Sequence, residues 1–137
     1  MSPTACFTID EANALIPRLE MLMARMQRAA IAIRSVVHDS PDGDAPHVRT
    51  TSDVLRVRPD LAPQVRELEG IVDEIEELGC QFKGLDLGLV DFPAMADAVP
   101  ILLCWQYGEK HIAYWHQVDE GFANRRALRS VALPRLQ

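Results

Sequence analysis

Residues 101–116 read ILLCWQYGEKHIAYWH, and this stretch decides the fold of the chain. The run 101–105 is apolar enough to form a buried strand, and 107–110 is typical of a turn. The segment 112–115 is again apolar and aromatic, so it is predicted to be the partner strand. The stretch therefore predicts an antiparallel β-hairpin.

One further strand is predicted just upstream, where residues 79–93 read GCQFKGLDLGLVDFP. Residues 85–90 place leucines alternately with other side chains, which is the period of a strand. Phe92 and Pro93 are expected to end it, because proline cannot donate to a strand ladder. With the hairpin, this predicts a three-stranded antiparallel β-meander over residues 80–120.

A long first helix is predicted over residues 8–38. Thr8 and Glu11 form a capping box, in which each side chain bonds the backbone N–H of the other. Pro17 lies inside the helix and is expected to kink it near residues 13–17. Apolar residues recur along it at three- and four-residue steps, which predicts one apolar face: Ala12, Leu15, Ile16, Leu19, Met23, Met26, Ala30, Ile33 and Val37.

The second helix is predicted over residues 60–79, with Gly79 in the left-handed cap position. Residues 39–59 are rich in Pro, Asp, Ser and Thr and are predicted to be a flexible linker. Residues 121–137 form a basic tail. These elements predict an α+β fold, a single domain over 1–137, in which an antiparallel helical hairpin with a long kinked first helix packs on a small three-stranded antiparallel sheet.

Net charge, hydropathy and cysteine spacing disfavour several classes of function. The 137 residues carry a net charge of −6, which disfavours nucleic-acid binding. No segment is apolar enough to span a membrane and no signal peptide is seen, so no membrane partner and a cytoplasmic location are expected. Cys6, Cys80 and Cys104 include no CxxC pair and are expected to be reduced thiols.

Polar side chains that interrupt apolar runs are the candidate catalytic residues: His116, Asp91 and Glu109. His116 follows a buried run and is expected to act as an acid, a base or a metal ligand. Asp91 stands between apolar neighbours, so it needs a partner. The structural alternative to a functional role is a cap or an ion pair with Lys83 or Arg125. The candidate metal ligands are His116, Cys104 and Asp91, and the implied cofactor is a single divalent transition metal.

The hairpin register decides which of these side chains meet. If Gly108 and Glu109 form a two-residue turn, Cys104 is a diagonal neighbour of His111 and is separated from His116. If the loop is one residue longer, Cys104 shares a face with His116. Both registers stay open at this point, and so does a purely structural role for Cys104 as a small buried apolar residue.

Candidate ligand-binding residues are Trp105, Trp115 and Arg125. The two indole rings are either core residues or a stacking surface for a ring-shaped ligand. Arg125 is able to clamp a carboxylate, from the protein or from a small anion.

Five sequence blocks occur in an order that resembles a known family: FTIDEANALIPRL, GLVDFP, LLCWQYGE, IAYWH and EGFANRR. The chain resembles, from Phe7 to about Leu128, the bacterial family of uncharacterised small proteins known as domain of unknown function 2203. The family leads us to expect an acidic residue after Lys83, where this chain has Gly84, so no role for a charge is expected there. The resemblance implies no reaction, substrate or cofactor.

Two functions follow from the residues. The first is a self-associating binding module with a polar pocket at the sheet, a homodimer through its helices, because Met21, Met23 and Met26 suggest more apolar surface than one partner helix covers. The alternative is a metal-dependent or acid–base enzyme that acts on a small polar molecule through His116 and nearby carboxylates. Whether the protein is an enzyme is left open, and a small-molecule ligand fits both functions.

Overall fold

The computed structural model of the protein describes residues 6–38, 51–85 and 87–128. The α+β class and the antiparallel sheet are confirmed, but the described chain holds five strands where three were expected, and three α-helices where two were expected. The helices are α1 (Ile9–His38), α2 (Thr51–Val57) and α3 (Ala62–Glu77), and the strands are β1 (Gln81–Gly84), β2 (Leu89–Ala96), β3 (Val99–Gln106), β4 (Tyr114–Gln117) and β5 (Arg126–Ala127).

The predicted capping box opens α1. The Thr8 N–H donates to Glu11 Oε1 at 2.9 Å, and the Glu11 N–H donates to Thr8 Oγ1 at 3.0 Å. Just before it, the Phe7 ring packs edge-on against the Phe92 ring, with 5.3 Å between the ring centroids. The Phe7 N–H donates to the Pro93 carbonyl at 2.8 Å. The start of α1 is therefore fixed to the sheet by both its cap and its neighbouring ring.

Helices α1 and α3 run antiparallel, as expected. Arg18 lies 3.6 Å from Glu74 and Arg25 lies 2.9 Å from Glu67, so residue numbers rise along α1 as they fall along α3. These exposed pairs orient the helices more than they stabilise them. Helix α1 is continuous through Pro17, and the kink there stays a prediction.

The expected linker over residues 39–59 is wrong in its second half, where α2 forms. Val54 of α2 is buried, and this apolar contact explains why a short polar segment becomes a helix. Residues 39–50 lie outside the described part of the chain. Val54 belongs to a small apolar cluster with Ile33, Leu61 and Val65.

The second helix is also shorter than the predicted 60–79. Residues Pro59–Leu61 form a 3₁₀ turn, and α3 proper follows it. The helix ends as expected, because Gly79 has a φ of 97°, the left-handed conformation that glycine adopts without strain.

The five strands form one antiparallel meander in the order β1-β2-β3-β4-β5. Strands β1 and β5 were missed because four and two residues are too few to show an alternating pattern. Strand β5 occupies part of the predicted basic tail 121–137, and residues 129–137 lie outside the described chain. The single-domain organisation stays a prediction.

Pro93 does not end its strand, contrary to the prediction, and β2 continues to Ala96. Pro93 pairs with Leu102 of β3, and its carbonyl accepts from Phe7 on the opposite side. Its missing N–H therefore faces away from β3, beyond the end of β1, where no ladder bond is lost.

The two faces of the sheet differ in character. One face packs on the helices and builds the main apolar core, which includes Val90, Phe92, Leu103, Trp105 and Trp115. Alternate residues point to the other face, among them Asp91, Cys104 and His116. Of the helices in the described ranges, none is both long and apolar enough to cross a membrane.

Candidate metal centre

Three neighbouring strands each bring one metal-ligating side chain to the same spot. Asp91 of β2 lies directly opposite Cys104 of β3. Cys104 lies opposite Tyr114 of β4, and His116 follows two residues later on the same face. One donor atom from each of Asp91, Cys104 and His116 lies within 4.8 Å of the others, and all three residues are buried. These are the three metal ligands predicted from the sequence.

The β3–β4 hairpin has the register of a loop one residue longer than a two-residue turn, which is the second of the two predicted registers. A two-residue turn at Gly108 and Glu109 is wrong, because Cys104 pairs with Tyr114. Instead the Glu109 N–H donates to the Gln106 carbonyl at 2.9 Å, and the Gln106 N–H donates to Glu109 Oε1 at 2.8 Å. This reciprocal bonding closes a turn over 106–109, so the strands pair one residue further on.

The hydrogen bonds of His116 fix its protonation pattern. Its Nδ1 lies 2.8 Å from the Gln117 carbonyl oxygen, which only accepts, so Nδ1 carries a proton and donates it. Its Nε2 lies 3.0 Å from Asp91 Oδ2. In a neutral imidazole this leaves two acceptors facing each other, so either a proton lies between them or a metal cation lies beside them and binds both.

The second oxygen of Asp91 is also unusual. The residue is 2% exposed, and Oδ1 has no hydrogen-bond partner in the part of the chain that the structure describes. A buried carboxylate oxygen without a partner is costly, and such a group points to a function or to a bound ion.

Cys104 is not an activated thiolate by itself. Burial raises the pKa of its thiol to about 12, together with the charge of the neighbouring Asp91 and a hydrogen bond to that carboxylate, while Arg125 acts in the opposite direction. Cysteine nucleophiles need a lowered pKa, so this environment argues against nucleophilic catalysis by Cys104. A bound metal ion would supply the missing positive charge, because a coordinating thiol loses its proton.

A cavity of about 230 Å³ lies beside the three ligands. Its other walls come from β1, from the start of β2 and from the segment after β4: Lys83, Leu89, Glu120, Gly121 and Phe122. A metal ion held by three protein side chains at this wall would keep an open position towards the cavity. That arrangement is typical of catalytic rather than structural zinc sites.

Glu109, a predicted catalytic residue, does not line this cavity. Its Oε2 accepts from Arg125 Nη2 at 2.5 Å, while its other oxygen closes the hairpin turn. The Arg125 guanidinium lies over the rings of Tyr114, at 3.8 Å, and Phe122, at 4.9 Å. Glu109 and Arg125 thus hold the hairpin and the segment 118–125 together beside the site, and their catalytic and ligand-binding roles stay predictions.

Both tryptophans lie on the opposite face from the three ligands. Trp105 is fully buried in the core and its Nε1 donates to the Glu109 carbonyl at 2.9 Å. Trp115 is buried in the same core, with the Arg126 guanidinium 5.0 Å from its ring. Their ligand-binding role stays a prediction.

None of the five other residues that line the cavity was predicted as a site residue from the sequence, and two of them are charged. Lys83, at the irregularity of β1 between Phe82 and Gly84, lines the cavity. Glu120 accepts from the Gln117 N–H at 3.1 Å, and its own N–H donates to the Gln117 carbonyl, at 3.0 Å, that also binds His116. The three-residue spacing in QVDE was the available signal for this turn.

The structure thus defines a small α+β protein whose sheet holds a buried Asp–Cys–His cluster next to a cavity. Comparison with known proteins gives the family. The profile of the family described as "Uncharacterized conserved protein (DUF2203)" matches residues 5–128, so the chain belongs to this family. No curated protein and no solved structure matches the chain.

Proposed function

We propose that this protein binds one divalent transition metal ion through Asp91, Cys104 and His116, and that the ion serves a small-molecule site in the adjoining cavity. The observation that carries this proposal is the contact of Asp91 Oδ2 with His116 Nε2 at 3.0 Å, while Nδ1 is occupied by a carbonyl. Two buried acceptors that face each other favour a cation between them or beside them.

The donor set supports a transition metal. Imidazole nitrogen, thiolate sulfur and carboxylate oxygen together suit Zn²⁺, whereas Mg²⁺ and Ca²⁺ prefer oxygen alone. In tetrahedral geometry, bond lengths of about 2.1 Å to nitrogen and 2.3 Å to sulfur place the two donors about 3.6 Å apart. The donor atoms here lie within 4.8 Å of one another, so side-chain rotations that move these atoms by about 1 Å are enough to close the site.

The surroundings of the histidine also match a metal ligand. Ligating histidines commonly donate their other ring N–H to a carbonyl or a carboxylate, which fixes the tautomer and the ring orientation. His116 does this through Nδ1 to Gln117, and the turn closed by Glu120 holds that carbonyl.

Metal analysis tests the proposal. The protein is purified without a histidine tag and titrated with Zn²⁺ against a chromophoric chelator. We expect one equivalent to bind to the wild type and none to bind tightly to His116→Ala. The matched control is His111→Ala, because His111 is exposed on the same hairpin and is not part of the cluster.

Less than about a tenth of an equivalent bound by the wild type would end the proposal. The same result would leave the Asp91–His116 contact as a structural pair that shares a proton. Equal zinc binding by wild type and His116→Ala would place the metal elsewhere.

The self-associating module is the weaker candidate. Its argument was the apolar surface of α1, but Met23 and Met26 are fully buried within the chain, and Met21 is exposed as a single residue. Single exposed apolar residues are ordinary on protein surfaces. A homodimer remains a proposal that sedimentation equilibrium tests, and a monomer at high micromolar concentration would contradict it.

A further inference from the structure

The size and the lining of the cavity beside the Asp91–Cys104–His116 cluster indicate which ligands a metal-loaded site would bind. The cavity of about 230 Å³ corresponds to roughly eight water molecules at about 30 Å³ each. It is smaller than the roughly 300–1,000 Å³ of pockets for drug-sized ligands. A ligand here is therefore a molecule of only a few non-hydrogen atoms.

The charges around the cavity are nearly all paired. Glu120 Oε2 accepts from Arg126 Nη2 at 3.2 Å, and Glu109 pairs with Arg125. Lys83 differs, because none of the described acidic residues forms an ion pair with it. It is exposed at the cavity wall, where it is free to meet a ligand.

The net charge of the metal-loaded site is the sum of the charges of the ion, its ligands and the neighbouring side chains. A divalent ion is balanced by the Asp91 carboxylate and the Cys104 thiolate, while His116 binds as a neutral ring. With the other charges paired, Lys83 leaves one positive charge next to the open metal position. A singly charged anion neutralises it, whereas a doubly charged anion such as phosphate would leave an excess negative charge beside Glu120.

The uncharged part of the wall is apolar. Leu89, which is buried, and Phe122, which is partly buried, both line the cavity. These surfaces favour a short hydrocarbon chain next to the charged end of the ligand.

We propose that the cavity binds a short-chain monocarboxylate, with the carboxylate between the metal ion and Lys83 and the carbon chain against Leu89 and Phe122. This inference rests on the proposed metal site. It names the ligand class of that same site.

Cobalt makes both proposals visible in one experiment. The protein is loaded with Co²⁺, whose visible absorption reports the ligands of the ion, and is titrated with acetate, propionate, inorganic phosphate and 1-propanol. We expect acetate and propionate to change the spectrum and 1-propanol to have no effect. Propionate should bind about fourfold more tightly than acetate, because one buried CH₂ is worth about 0.8 kcal/mol.

The role of Lys83 is tested by Lys83→Gln, which should weaken propionate binding about two- to fivefold, the range of an exposed charge pair. Lys83→Arg should restore most of it. Lys110→Gln is the matched control, because Lys110 is the only other lysine of the chain and does not line the cavity.

Failure of the metal site and failure of the monocarboxylate proposal give different results. If no Co²⁺ binds, both proposals fall. If Co²⁺ binds but propionate leaves the spectrum unchanged, or phosphate binds more tightly than propionate, the metal site stands and the monocarboxylate is wrong. Equal affinities in Lys83→Gln and Lys110→Gln would also overturn it, since recognition would then not involve Lys83.

Discussion

Asp91→Asn separates the structural role of the carboxylate from its proposed role as a metal ligand. Nδ1 of His116 donates to a carbonyl, so Nε2 of the neutral ring needs a donor. The new amide NH₂ would stand where Asp91 Oδ2 now lies, 3.0 Å from Nε2, and would donate to it. The contact is therefore kept without a shared proton and without a negative charge.

The magnitudes follow from these contacts. Asp91→Ala leaves Nε2 buried without a partner and should lower the free energy of unfolding of the metal-free protein by about 3 kcal/mol. Asp91→Asn keeps the hydrogen bond and the volume, so it should cost less than about 1 kcal/mol. Zinc affinity should instead fall in both variants by more than about 100-fold. Loss of a group that only hydrogen-bonds a metal ligand costs up to about 100-fold, and here a charged ligand itself is lost.

Urea unfolding followed by circular dichroism measures the first effect, and zinc competition with a chromophoric chelator measures the second. Asp119→Asn is the charge-matched control, because Asp119 is exposed in the turn after β4. The reasoning is refuted if Asp91→Asn destabilises the metal-free protein as much as Asp91→Ala. It is equally refuted if Asp91→Asn binds zinc as tightly as the wild type.

Three further predictions concern the rest of the fold. Ala98 has a φ of 66° in the β2–β3 turn, so Ala98→Gly should raise the free energy of unfolding by about 0.5–1 kcal/mol in urea titrations, and a loss would contradict the strain. A thiol reagent should modify Cys6 quickly and the buried Cys80 and Cys104 only on unfolding, and two or more fast thiols in the native protein would be inconsistent with the fold. Burial raises the pKa of Cys80 from 9.0 to about 12, and that of Cys104 rises to the same value, so between these values the unfolded state binds fewer protons than the native state. Stability should therefore fall as pH rises, by up to about 1.4 kcal/mol per pH unit for each thiol. Cys80→Ala should reduce this slope, and an unchanged slope would show that Cys80 is not its source.

The helices were largely predictable because their signals are local and repeated. The capping box at Thr8 and Glu11 and the left-handed Gly79 are set by neighbouring residues, and both were found where expected. Helix α2 was not predictable from its own seven residues, because its formation depends on burying Val54 against residues outside it, among them Ile33 of α1. A composition that is typical of linkers gave no sign of that contact.

The sheet shows the same contrast. Strand β3 has eight residues, and its apolar run was visible. The strand predicted from residues 85–90 is wrong in its first part, because Leu85, Leu87 and Gly88 lie in the β1–β2 turn and β2 begins at Leu89. Strands β1 and β5 are held by pairing with a neighbour. Pro93 misled the prediction, because the rule that proline ends a strand applies only where its N–H would meet a partner strand. On the outer side of β2, beyond the end of β1, this condition is absent.

The three candidate ligands were found for a physical reason, while their arrangement was not. A charged or ionisable side chain within an apolar run costs free energy, so Asp91 and His116 were conspicuous in the sequence. Whether Cys104 meets His116 depended on the loop length, and that length is set by the side chain of Glu109 bonding the Gln106 N–H. A side-chain bond of this kind leaves no periodic signal.

The outer face of the sheet, which carries Asp91, Cys104 and His116, supports our proposal of a metal centre. Leu102, which lies between Cys104 and the β2–β3 turn on this face, shows that an apolar residue can be buried there. A stable sheet would be served as well by apolar residues at positions 91 and 116, since a buried polar pair seldom stabilises more than a well-packed apolar one. The chain instead places two acceptors 3.0 Å apart, orients one through a carbonyl and leaves an oxygen of the other without a partner among the described residues. A cation ligated at this point satisfies these groups together, which is why we favour a metal centre over a structural pair.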